Sequence, residues 1–136
     1  MTQIGKYPDT FYRVSLKAII RDNNGKVLMV KENADDWDLP GGGFDHDLSI
    51  EDCLKKELFE EISFKGEITE MKLLECAYQY LASKEANIFR AIYELKLSND
   101  DFSIGQDAHA MEFIDPSIFK DSKNPYEQVI YRLGSM

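Results

Sequence analysis

The stretch from residue 39 to residue 62 constrains the fold of this chain more than any other. It opens with Leu39-Pro40-Gly41-Gly42-Gly43, the densest glycine in the sequence, which is either a loop or the end of a strand running into one. From Ser49 to Ile62 there is then neither glycine nor proline. Ser49 is a good N-cap and Asp52, three residues on, imitates a capping box, so a helix of about three turns is expected over 49–62. Leu54, Leu58 and Ile62 fall at i, i+4 and i+8 and form its core face. Glu57, Glu60 and Glu61 fall at i, i+3 and i+4, which puts three carboxylates on one side of the helix. Like charges at that spacing repel, so the cluster is either a solvated acidic face or a set of oxygens offset by cations. A glycine-rich segment entering the same helix lets backbone approach a ligand closely, and hard carboxylate oxygens suit Mg2+ or Mn2+.

Around this segment the chain reads as strands with a few helices. Residues 12–20 alternate with a period of two, Val14, Leu16, Ala18 and Ile20 on one side, and predict a strand with one face buried. Asp22-Asn23-Asn24-Gly25 then supplies a turn and residues 26–31 resume strand composition, so the two segments are expected to form a hairpin. Residues 71–81 and 88–97, rich in aromatic and β-branched side chains and separated by polar 83–87, predict a second antiparallel pair. A short strand is expected over 110–114. Asp115-Pro116 and Asn124-Pro125 each place a capping residue before a proline, predicting a short helix near Ser117 and a C-terminal helix over 126–133. No repeat, low-complexity tract or linker interrupts the 136 residues, so one domain over 1–136 is expected, an α/β or α+β sandwich.

Charge and cysteine content narrow the function classes. With 25 acidic and 16 basic side chains the formal net charge is −9, which disfavours bulk nucleic acid and anionic membranes as partners. A phosphorylated small molecule remains compatible, because a divalent cation between carboxylates and phosphates reverses the local sign. Cys53 and Cys76 are too few for a disulfide framework and lack zinc-site spacing, which fits a reducing cytoplasm. No apolar run approaches the length of a membrane span, and Met1 to Lys6 lack the apolar middle of a signal peptide.

The run 39–64 resembles a Nudix box. That pattern is a glycine, five intervening residues, a glutamate, seven further intervening residues, and then Arg-Glu-aliphatic-any-Glu-Glu-any-Gly-aliphatic. Gly42 matches the first glycine, Glu57 the glutamate after the arginine, Leu58 the aliphatic, Glu60 and Glu61 the paired glutamates, and Phe64 approximately the last apolar position, without a gap. The approach Trp37-Asp38-Leu39-Pro40 and the opening strands are also similar to the family's, so the resemblance covers most of the chain. It implies a Nudix-type α/β/α sandwich with a mixed β-sheet. It further implies Mg2+-dependent hydrolysis, with Mn2+ as a substitute, of a nucleoside diphosphate linked to another moiety: a nucleoside triphosphate, a dinucleoside polyphosphate or a nucleotide sugar. On this reading Glu57, Glu60 and Glu61 are the metal and catalytic residues and Lys56 stands in the arginine position. Gly41, Gly42 and Gly43 bind substrate, with Trp37 or Tyr80 as stacking partners, and the general base is a box glutamate or, from outside the box, Glu112 or Asp107.

Three positions depart from the pattern. Leu48 stands where the first glutamate is expected, Lys56 replaces the arginine, and Ser63 replaces the glycine. Lysine keeps the charge but lacks the planar fork of a guanidinium. Asp45 and Asp47 are placed to substitute in part for the missing glutamate, and Ser63 predicts a helix ending other than the left-handed one. These departures keep open an alternative, a catalytically weak or inactive nucleotide-binding sensor, beside a plain interaction domain whose acidic helix is only solvated. The resemblance admits a homodimer, which no residue specifies. His46 and His109 read as surface residues, Cys53 as packing, and Tyr78 and Tyr80 as sharing one strand face.

Overall fold

The computed structural model describes residues 11–33 and 35–136; the opening Met1 to Lys6, read above for a signal peptide, lies outside them. Among the described residues the strands are β1 (Arg13–Ile19), β2 (Val27–Lys31), β3 (Gly41–Gly43), β4 (Ile68–Leu81), β5 (Ala86–Leu97) and β6 (Ala110–Ile114), and the helices are α1 (Ile50–Ile62) and α2 (Pro125–Gly134). Short 3₁₀ turns over Ala82–Lys84 and Pro116–Phe119 complete the order. The expected helices, the short strand and the β4–β5 pair are therefore present. Asn124 caps α2 and Asp115 the second 3₁₀ turn, each with a proline in the first helical position.

The strands form two sheets. The larger runs β3-β1-β5-β4, with β1 antiparallel to β3 and parallel to β5, and is therefore mixed; the smaller pairs β2 with β6 antiparallel. The expected hairpin of the first two strands is corrected by this topology. Its turn exists: Asp22 Oδ1 accepts from the backbone N–H groups of Asn24 and Lys26, and Leu28 N–H reaches Ile20 at 2.9 Å. Beyond the bridge between Arg21 and Val27, however, the strands part into different sheets. Burial explains the divergence. Residues Val27 to Val30 are all buried, so β2 needs both faces covered, which a two-stranded hairpin open to solvent does not provide.

β1 shows the same departure from alternation. It lies between β3 and β5, and Lys17 and Ile19 on its second face are buried like Leu16 and Ala18 on the first. Two apolar clusters result. Leu54, Leu58 and Ile62 of α1 pack with Leu16, Ala18, Leu28 and Val30 on one side, and Tyr126, Ile130 and Leu133 of α2 pack with Ile19, Val27, Met29 and Ile92 on the other. The sheets thus form the middle layer of an α/β/α sandwich.

The ending of α1 is a second correction. Ser63 takes the left-handed conformation, with φ 55°, despite its side chain, and Phe64 N–H reaches back to Leu58 at 3.3 Å. Phe64 is buried in the α1-side cluster, and that burial draws the chain through a turn that glycine would make without strain.

Candidate active site

With one stripe of α1 turned into the core, Glu57, Glu60 and Glu61 are carried towards β3. Glu61 has no solvent exposure, and its Oε1 accepts the Gly41 N–H at 2.7 Å. Its Oε2 is buried and meets no donor among the described residues. Glu57 lies against the next residue of the strand: a Cβ on Gly42 would sit 2.7 Å from the Glu57 carboxylate, so any larger residue there would push that carboxylate aside. β3 is thus held against α1 at its carboxylates.

The wall opposite β3 comes from residues 98–109. Backbone N–H groups of Ser103, Gly105 and Asp107 donate to the carbonyls of Ile62, Glu61 and Glu60 at 3.0, 2.9 and 2.9 Å, which satisfies the last turn of α1. Gly105 is required there, since its Cβ would lie 2.3 Å from the Glu60 carbonyl oxygen. This docking places Gln106, Asp107 and His109 on a cleft of about 450 Å³ whose other sides are Glu32, Gly41–Gly43, Glu57 and Glu60.

The electrostatics of the cleft follow from burial and crowding. Burial, then Glu60 and Glu32, raise the Glu57 carboxyl above its ordinary value, against the pull of Lys56 and Lys17. Burial and the neighbouring Glu32 carboxyl raise Glu61 further, although the Gly41 N–H and Lys17 oppose them. Lys17 is a buried ammonium whose Nζ lies 3.0 Å from Asp38 Oδ2 and 3.4 Å from the Leu39 carbonyl. Asp38 Oδ1 accepts the Tyr126 hydroxyl at 2.7 Å, and the Arg90 guanidinium covers the Tyr126 ring at 3.8 Å. A polar frame joining β1, β5 and α2 therefore supports the segment that becomes β3.

These features fit a divalent cation. The donors are hard oxygens, one buried oxygen is unsatisfied, and neighbouring carboxylates help to raise Glu57 and Glu61. Among the described residues no three of these side chains already converge on one point; Glu57 and Glu60 line the cleft, while Glu61 is buried and reaches Gly41.

Residues 11–132 match the family model described as NUDIX domain. The chain belongs to the Nudix family. Two RNA pyrophosphohydrolases, from Pseudomonas fluorescens strains SBW25 and ATCC BAA-477 / NRRL B-23932 / Pf-5, are each 35% identical over 75 residues, 54% of this chain. That match spans 45% of each relative, so the chain covers less than half of their length. The fold is shared with a MutT protein from Methanosarcina mazei Go1, at a TM-score of 0.74 and 16% identity over 95% of this chain and 96% of the other. A NUDIX hydrolase from Nitrosomonas europaea gives a TM-score of 0.71 at 17% identity over 90% and 87%.

Against this Nudix fold the departures acquire positions. Leu48 is half-buried against the α1-side cluster, so an apolar contact occupies the place of the first glutamate. Lys56 is exposed, its Nζ 3.9 Å from Asp45 Oδ2. Asp45 itself accepts the Asp47 N–H in the turn before α1. Of the bases considered outside the Nudix box, Asp107 lines the cleft; Glu112 is exposed on β6 and does not.

The remaining sequence candidates scatter. Trp37 packs half-buried on the α2-side cluster with the Lys31 ammonium 4.7 Å from its ring centroid, and it does not line the cleft. Tyr80 and Tyr78 are both exposed near the far end of β4, paired across with Asn87 and Phe89. His109 stands on the cleft wall, whereas His46 is exposed beside Asp47. Cys53 is buried with its Sγ 3.6 Å from the Gly43 carbonyl. Sequence reasoning missed Glu32, Lys17 and Gly105. Glu32 and Gly105 lie in segments without periodicity, and Lys17 sits in a strand whose pattern placed it on a solvent face.

Proposed function

We infer that this Nudix chain is a pyrophosphohydrolase that cleaves a nucleoside diphosphate linked to another moiety, using Mg2+ or Mn2+ held by Glu57, Glu60 and Glu61. The observation that carries this reading is the buried Glu61 carboxylate, fixed through one oxygen by Gly41 and left unsatisfied at the other, beside a Glu57 that touches Gly42. A bound divalent cation would neutralise phosphate charge and lower the pKa of an attacking water. Gly41, Gly42 and Gly43 admit the phosphate chain to the carboxylates because no side chain stands between them. Gly41 N–H fixes the Glu61 carboxylate, and Lys17 offsets part of the negative charge that the carboxylates concentrate. Asp107, on the wall opposite β3, is favoured over Glu112 as the residue that takes the proton of the water. Lys56, exposed beside Asp45, contributes charge near the cleft rather than a bidentate clamp.

The net charge of −9 favours a small nucleotide as substrate, and the likeness to RNA pyrophosphohydrolases adds the 5′-triphosphorylated end of RNA to the candidates. A buried Cys53 and a free, exposed Cys76 suit a reducing cytoplasmic setting. Nucleotide binding without turnover is the second reading, favoured by Leu48 and Lys56. The test is phosphate and nucleotide release from nucleoside triphosphates, dinucleoside polyphosphates, ADP-ribose, sugar nucleotides and a triphosphorylated RNA oligonucleotide with Mg2+ or Mn2+. Turnover that disappears in Glu60→Gln and Glu61→Gln supports the hydrolase; binding with no turnover of any compound supports the sensor.

A further inference from the structure

A second depression adjoins the carboxylate cleft and shares Gly43 with it. It holds about 840 Å³ and is walled by Phe11, Tyr12, Arg13, Phe44 and Asn87. Its aromatic rings are open to solvent, Phe11 at 71%, Tyr12 at 47% and Phe44 at 38% exposure, which is uncommon for side chains of this kind gathered in one place. They are nevertheless held in position. Tyr12 meets the edge of Tyr78 with centroids 5.7 Å apart, Tyr78 donates its hydroxyl to Asn87 Oδ1 at 2.9 Å, and Phe44 N–H is tied to the Val14 carbonyl at 2.8 Å. At the junction between the two depressions the Arg13 guanidinium lies over Gly43, where a Cβ would come within 3.3 Å of it.

We propose that this groove seats the aromatic base of the nucleotide, with Arg13 beside the phosphate that passes over Gly43 into the carboxylate cleft. The proposal rests on the hydrolase reading above for the direction of the phosphate chain. Continuity through Gly43 and the positive charge at the junction favour an occupant that is anionic at one end and flat and apolar at the other. A nucleotide has that form, and stacking on tyrosine and phenylalanine is tolerant of which base is present. Trp37 and Tyr80 are then not needed as stacking partners, since the groove supplies its own. A free nucleotide and the 5′ end of an RNA carry the same chemistry here.

The test uses the whole chain and reads binding without turnover. A non-hydrolysable α,β-methylene nucleoside triphosphate and base-free tripolyphosphate are titrated calorimetrically, with Mg2+, into the wild type, Tyr12→Ala and Phe44→Ala. Both side chains are partly exposed, and a thermal melt of each variant confirms its fold. The expected result is a loss of nucleotide affinity of about tenfold in either variant, with tripolyphosphate affinity unchanged. Unchanged affinity of both variants for the nucleotide and for a 5′-triphosphorylated dinucleotide overturns the proposal, as does an equal loss for tripolyphosphate. A 5′-triphosphorylated dinucleotide titrated alongside separates the sources: weakening confined to it assigns the groove to RNA ends, and weakening of the mononucleotide assigns it to free nucleotides. Failure of the hydrolase reading shows separately, as absent turnover in the wild type while nucleotide binding still responds to Tyr12 and Phe44.

Discussion

At the scale of single residues, Glu61 combines two costs: a carboxyl without solvent and an oxygen without a donor. Glu61→Gln keeps an acceptor for Gly41 and removes an acid whose ionisation burial penalises. In chelator the variant is therefore expected to be more stable than the wild type, by roughly 1–3 kcal/mol, while turnover falls on the order of 10²-fold or more. Paired thermal melts and initial rates check both halves; a less stable variant in chelator refutes the account of Glu61. Ser63 permits a second exchange. The left-handed geometry costs a non-glycine residue about 1–2 kcal/mol, and glycine's greater unfolded entropy returns roughly 0.5–1 of that, so Ser63→Gly is expected to raise the urea midpoint slightly. The carboxylate trio was legible in the sequence because helix geometry fixes which side chains at i, i+3 and i+4 share a side. Lys17, Asp38 and Tyr126 were not, because nothing local links a strand lysine to a tyrosine far along the chain.

At the scale of elements, the docking of residues 98–109 on the end of α1 and the frame behind β3 set the cleft. Gly105→Ala forces a Cβ against the Glu60 carbonyl and is expected to lower turnover more than stability, since the loop is displaced with Asp107 and Gln106 while both cores stay intact. Steady-state kinetics beside a melt separate the two effects. The frame predicts a pH dependence. Burial alone would raise the Asp38 carboxyl, but Lys17, the Tyr126 hydroxyl and Arg90 outweigh it and hold it below its ordinary value. A depressed acid contributes stability that is complete above its unfolded value, about 3.9, and is lost as pH falls through the folded one. Asp38→Asn is therefore expected to be less stable than the wild type at pH 7, with a shallower decline below about pH 4, measured as urea midpoints across that range. An unchanged acid limb excludes the role given to Lys17 and Tyr126. Helix α1, its cap and the β4–β5 pair were readable because their signals are local. The partition of β1 and β2 was not: Asp22-Asn23-Asn24-Gly25 specifies a turn, but which neighbours the following strands take depends on the cover that α1 and α2 provide.

At the scale of the whole molecule, the cleft lies where β3, α1 and residues 98–109 meet, so a cation binding only the folded state stabilises all three together. Mg2+ at a hundred times its dissociation constant is expected to contribute about 2.7 kcal/mol, and this shift is expected to vanish in Glu57→Gln. Differential scanning calorimetry with and without the ion checks it. The fold was legible at this scale through one short segment, residues 39–64, because it resembles the Nudix box, whereas the aromatic groove at Gly43 is assembled from parts of the chain that carry no common pattern. The parting of β1 and β2 also bears on the order of synthesis. Among the described residues β2 finds its ladder partner only in β6, from Val27 opposite Ile114 to Lys31 opposite Ala110. While the chain is still emerging from the ribosome, the four buried residues of β2 have a turn but no ladder. They are an apolar stretch of the nascent polypeptide that needs shelter until β6 has left the exit tunnel.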